Sequence, residues 1–209
     1  GPPAASACWT GEKSEVTILY TNDVHTYIDK QAPELTYAAI AALKQSYQDA
    51  GKKVLLVDAG DHVQGTAYGS MDQGASIIEL MNAAGYDAAT PGNHEFDYGM
   101  DQFNKLVEKA DFDYISCNFV DKDGNPVLKP YVIKEADGVK IAFVGISTPK
   151  TITTSTPTYF QDANGKFVYS FAEGNNGADL YNKVQETVDA AKKDGATYVV
   201  AIAHLGIDE

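Results

Sequence analysis

Residues 91–97 read Pro-Gly-Asn-His-Glu-Phe-Asp. The strand-like run 86–90 should stop at the Pro-Gly turn signal, and an amide, an imidazole and two carboxylates follow at once. Three other stretches carry side chains of the same kind. Residues 22–25 supply Asp23 and His25, residues 60–62 supply Asp61 and His62, and residues 203–206 supply His204. All 4 histidines of the chain fall in these stretches. Imidazoles and carboxylates together suit a borderline divalent transition metal. Asp-x-His puts two donors on one extended turn, facing the same way. Asp61 has two oxygens and can bridge two ions, and Asn93 adds an oxygen donor that leaves the metal's charge unquenched. One such loop would ordinarily be a solvated turn with a satisfied histidine. Four in a consistent place point to a site.

The place is consistent because each stretch ends a predicted strand. Strands are expected at 16–21, 54–59, 86–90 and 197–203, just before Asp23, Asp61, Asn93 and His204 respectively. Residues 113–119 and 140–146 read as further strands, with a hairpin turning at Asp137-Gly138. Helical spacing links Leu35, Ala38, Ala39, Ala42, Leu43 and Tyr47, then Ile77, Met81 and Ala84, then Phe103, Leu106 and Val107, and finally Leu180, Val184, Val188 and Ala191. Gly51 and Gly85 close the first two helices. Residues 151–177 read as a long excursion with a small hairpin at Asn164-Gly165. Strands alternating with helices make the chain α/β, with helices outside stacked sheets. In such folds sites form beyond the carboxyl ends of the strands.

Composition narrows the function. The chain has 209 residues, a formal net charge of −13 and 16 basic residues, every one a lysine. Binding to nucleic-acid polymers needs clustered positive charge, so that class is set aside. Arginine is the usual bidentate phosphate clamp. A phosphate substrate would need its charge met by metals or by another domain. No run of 18 apolar residues is present, so no transmembrane segment is expected. The 2 cysteines set neither a disulfide framework nor a zinc spacing. Cys117 reads as a small buried residue of a strand, and a Cys8–Cys117 bridge stays open.

Together these motifs resemble the ordered motifs of the calcineurin-like metallophosphoesterases, and residues 92–99 resemble the 5′-nucleotidase and UDP-sugar hydrolase branch. The resemblance runs from residue 16 to 209. It implies a four-layer α/β/β/α sandwich holding two divalent metal ions, zinc, manganese or similar. One ion would sit on Asp23, His25 and Asp61, the other on Asp61, Asn93 and His204. His94 and Asp97 would be the catalytic pair. The implied reaction is hydrolysis of nucleotide phosphate esters, with a metal-bound hydroxide as nucleophile, in nucleotide catabolism outside the cytoplasm. Around this set, His62 follows Asp61 but points the other way along an extended chain, and has the lesser claim to a direct role. Gln64, Gly65 and Thr66 shape a turn, Asp58 makes a structural bond behind the site, and Glu95 and Phe96 face hydrogen bonds and core.

The sequence departs from the family at its ends. Residues 1–15 read as a flexible leftover. The family continues beyond the position of Glu209 to a further metal-binding motif and a C-terminal substrate domain that contributes arginines. Residues 16–209 therefore read as a truncated metallophosphoesterase domain, weak or inactive alone. Two functions stay open: a two-metal phosphoesterase, and a module that binds metal or a partner without turnover.

Overall fold

Residues 54–58, Val-Leu-Leu-Val-Asp, are buried without a break, as a strand covered on both faces must be. The computed structural model describes residues 5–11, 14–22, 33–60, 72–147, 157–172 and 177–204. Strands β1 (Ala5–Gly11), β2 (Ser14–Thr21), β3 (Lys53–Asp58), β4 (Ala88–Ala89) and β5 (Asp113–Tyr114) form one sheet in that order. From β2 to β5 the pairing is parallel. Among the described residues, three helices connect these strands: α1 (Pro33–Asp49), α2 (Ala75–Ala84) and α3 (Met100–Lys109). Further on come β6 (Phe119–Asp121), β7 (Tyr131–Ala136), β8 (Val139–Ser147), β9 (Tyr169–Phe171), α4 (Ala178–Lys193) and β10 (Tyr198–His204). A second sheet has the order β10-β8-β7, and β6 pairs with β9.

Alternation along the strands builds the layers. Val16, Ile18, Leu55 and Val57 pack with Ile141, Phe143 and Ile202 between the two sheets. The intervening residues Leu19, Val54 and Leu56 pack with Tyr37, Ile40, Ile77, Met81 and Leu106 of the helices. On the second sheet, α4 packs against β7, β8 and β10 with Thr187 and Ala191 buried. The result is the α/β/β/α sandwich expected. Satellite to it lies an aromatic cluster of Phe96, Phe103, Phe119, Phe160 and Phe171.

Three local expectations give way. Residues 5–11, expected within a flexible leftover, pair antiparallel with β2, Cys8 opposite Thr17 and Trp9 opposite Val16. An edge of β2 offers backbone partners that a leftover would otherwise take from water. The stripe of α1 is rotated: Tyr37 and Ile40 are buried, whereas Ala38, Ala39, Ala42 and Leu43 are exposed. Alanines carry too little apolar area to decide a helix face against Tyr and Ile. The strand expected at 113–119 is split between β5 and β6, because at 116–118 the chain crosses to the second sheet. There the Cys117 N–H donates to the Gly145 carbonyl at 2.7 Å, and Asn118 Nδ2 donates to the Ser147 carbonyl at 2.7 Å. The hairpin at Asp137-Gly138 is as expected, both residues having positive φ, as the tight paired turn requires.

Two outcomes follow from the packing. Leu56 is fully buried and Leu43 is 38% exposed. Leu56→Ala should lower unfolding free energy by about 2–5 kcal/mol, whereas Leu43→Ala should stay within about 0.5 kcal/mol; urea denaturation of both variants checks this. Cys117 is a free, buried thiol, and burial pushes its pKa up to about 11. Between the unfolded value and 11, the unfolded thiol has lost its proton while the folded one keeps it, so stability declines as pH rises through that window. Urea titrations from pH 8 to 11 should show this decline, and Cys117→Ala should reduce its slope.

Candidate active site

Asn93–Phe96 forms a 3₁₀ turn directly after β4. Two of its residues point inward and fix it. Phe96 meets Phe103 at 4.5 Å and Phe119 and Phe160 at 5.4 Å between ring centroids. Glu95 is buried, and its carboxylate accepts the Gly92 N–H at 3.2 Å. With those two held inside, Asn93, His94 and Asp97 are left half-buried at the surface of the turn. His94 Nδ1 lies 2.8 Å from Asp97 Oδ2. An ionised carboxylate only accepts, so Nδ1 carries the proton and donates it. That bond orients the ring and makes Nε2 the nitrogen left for proton transfer or for contact with a substrate oxygen.

Behind the turn, a chain of hydrogen bonds joins the ends of β2 and β3. Thr21 Oγ1 donates to Asp58 Oδ1 at 2.6 Å, and the Gly60 N–H donates to Asp58 Oδ2 at 2.9 Å. Thr21 has one hydroxyl proton, so the Tyr86 hydroxyl, 2.8 Å away, donates to Thr21. Burial, and then the charge of Asp58, hold the Tyr86 phenol well above its ordinary pKa. This is the structural bond expected of Asp58. Gly60 has φ +101°, and a Cβ there would come within 2.3 Å of the Gly92 nitrogen. Only glycine allows the end of β3 to lie so close to the turn that precedes Asn93.

Two hydroxyls reach from the first sheet to the second. Tyr20 OH donates to the Ala203 carbonyl at 3.3 Å, and Thr90 Oγ1 donates to the Ile202 carbonyl at 3.2 Å. The carboxyl ends of β2, β3, β4 and β10 therefore meet at one edge. Of the residues singled out in the sequence, Asn93, His94 and Asp97 stand together on one turn, and His204 ends β10 at the same edge. Asp23, His25, Asp61 and His62 lie outside the described residues, as do Gln64, Gly65 and Thr66. The neighbours Thr21 and Gly60 are described, and both are tied to Asp58 at this edge. An amide oxygen, as on Asn93, and an imidazole, the side-chain type of the residue that ends β10, are donors a divalent transition metal takes, so the residue types at this edge fit such an ion. Sequence reasoning passed over Tyr20, Thr21, Thr90 and Tyr86. For Tyr20, Thr21 and Thr90 the one signal was a hydroxyl near the carboxyl end of a strand, whereas Tyr86 precedes β4 and carried none.

The match to a family model of calcineurin-like phosphoesterases spans residues 16–208. The chain is 30% identical to a 5′-nucleotidase of Vibrio cholerae, over 95% of this chain and 35% of that protein. It is 29% identical to the trifunctional nucleotide phosphoesterase protein YfkN of Bacillus subtilis, over 100% of this chain and 15% of that protein. A solved 5′-nucleotidase precursor from Thermus thermophilus superposes with a TM-score of 0.73 at 25% identity, covering 91% of this chain and 37% of that one. The chain thus spans about a third or less of the length of these curated relatives. Divalent metals are the normal cofactors of this family. Among the described residues, no helix is long and apolar enough to cross a membrane. Fold, motif order and similarity agree over nearly the whole length: the chain belongs to the calcineurin-like metallophosphoesterases.

Proposed function

We propose that this chain is the catalytic domain of a hydrolase for nucleotide phosphate esters, with two divalent ions held by Asp23, His25, Asp61, Asn93 and His204. The observation that carries the reading is the His94–Asp97 pair at 2.8 Å, on the turn that also presents Asn93. Relatives described as 5′-nucleotidases support the substrate class, as does one described as a 2′,3′-cyclic-nucleotide 2′-phosphodiesterase/3′-nucleotidase. When bound, the ions would neutralise phosphate charge and lower the pKa of water. That need is sharp here, because the chain has no arginine to clamp a phosphate.

The protein's own residues divide the remaining work. Asn93 offers its amide oxygen to an ion without adding negative charge. His94, one residue further, contacts the phosphoryl oxygen or gives a proton to the leaving alkoxide through Nε2. Asp97 holds the proton on Nδ1 and stabilises the ring when it is charged. Asp58 and Glu95 keep the backbone of the strand ends in place. Choice among nucleotide substrates is assigned to parts of the longer relatives that this chain does not match. Work outside the cytoplasm fits relatives described as snake venom 5′-nucleotidases, and a cytosolic location of the full protein would refute it.

The reading separates His94 from Asn93. With Mn²⁺ and a nucleoside 5′-monophosphate, His94→Ala should lower kcat by about 10²–10⁴ while metal content stays intact. Asn93→Ala should weaken metal binding, with rate partly restored by excess Mn²⁺. Asp97→Asn should cost less than His94→Ala. Loss of a metal ion in His94→Ala, or an unchanged kcat, would overturn these roles.

A further inference from the structure

We infer that Thr90 is a positioning residue, a clasp between the sheets that holds the end of β10 beside the turn carrying Asn93. The inference rests on the proposed site, because it matters for function only if positions 93 and 204 serve one ion. The need for a clasp follows from the kinds of contact between the sheets. Strands β4 and β10 belong to different hydrogen-bonded sheets, and what packs between them is apolar: Ala88, Phe143, Ile202. Apolar contact is non-directional. It holds two layers together without fixing how far one slides along the other. A metal site built from both layers needs that offset fixed to about half an ångström.

Thr90 supplies a directed bond at the right point. It is fully buried. Its N–H donates to the Asp58 carbonyl at 2.9 Å, which anchors it to β3. Its hydroxyl donates to the Ile202 carbonyl on β10 at 3.2 Å. Thr90 stands three residues before Asn93, and Ile202 two before His204. The surroundings are shaped to admit the bond. Gly145 on β8 is the register partner of Ile202, and a Cβ there would come within 2.8 Å of Thr90 Oγ1 and 2.2 Å of the Ile115 carbonyl. Glycine at 145 leaves the hydroxyl its place. Tyr20 makes a second bond across the sheets one residue on, at the Ala203 carbonyl.

A hydroxyl that only satisfied a carbonyl would stabilise the fold as a whole. A clasp acts locally, and the two can be told apart. Thr90→Val keeps the shape and removes the donor, and Thr90→Ser keeps the donor. Amide hydrogen exchange of the metal-free full chain, read residue by residue by NMR, is the first measurement. In Thr90→Val, exchange should quicken about tenfold at 202–204 and 93–95, the worth of one lost hydrogen bond, and stay unchanged along β3 and at 139–142 of β8, away from the partners of 202–204. Thr90→Ser should match the wild type. The second measurement is Mn²⁺ calorimetry: Thr90→Val should weaken one of two sites about tenfold and Thr90→Ser neither. Unchanged exchange in Thr90→Val, a uniform rise across all strands, or equal damage from Thr90→Ser would each overturn the clasp. A wild-type chain that binds no Mn²⁺ would overturn the metal reading instead, and the exchange pattern would still decide the clasp.

Discussion

The candidate site depends on one buried bond, from the hydroxyl of Thr21 to the carboxylate of Asp58, 2.6 Å long. A carboxylate taken out of water must be given donors or its burial is strongly unfavourable. Thr21 and the Gly60 N–H are donors it takes, and each choice shapes the edge of the sheet. Binding Thr21 draws the end of β2 to the end of β3, so the chain leaves toward Asp23 beside the place where it leaves toward Asp61. Binding Gly60 turns β3 sharply into contact with the backbone at Gly92. From there the turn holding Asn93, His94 and Asp97 is set by Glu95 and by the aromatic cluster around Phe96. Polar groups outside the proposed catalytic set thus fix the backbone from which the candidate side chains project.

Much of this was legible in the sequence because the chemistry is concentrated at turns. Pro-Gly before Asn93 ends a strand by itself, and the polar run after it has no business in a core. The spacing of His94 and Asp97 suits a single helical turn, and the structure joins them at 2.8 Å. The unbroken apolar run of β3 could be read directly as a strand buried on both faces, and so could the hairpin at Asp137-Gly138. What could not be read depends on packing between distant segments. The face of α1 is chosen by Tyr37 and Ile40 against α2 and the sheet, which no local count of alanines reveals. The break at 116–118 arises because Ser116, Cys117 and Asn118 find partners near Gly145 and Ser147, about 30 residues away. Thr90 reads as an ordinary strand residue until β10, 112 positions later, is set against it.

The division of labour between the sheets suits a phosphate-ester hydrolase. The first sheet brings three strand ends to the edge and the second brings one, so neither alone could assemble the proposed donor set. A chain whose basic residues are all lysine has no rigid fork for a phosphate, and the proposed ions answer that lack. In the proposed reading His94, held by Asp97 at 2.8 Å, stands outside the ligand set and would be the group that moves the proton.

The most direct test is where metal binds. An anomalous-scattering map from crystals of the protein soaked in Mn²⁺ should show two peaks at the shared edge, one touching Asn93 and His204, the other touching Asp23 and His25, with Asp61 between them and His94 touching neither. Peaks elsewhere on the molecule, or a peak ligated by His94, would contradict the account.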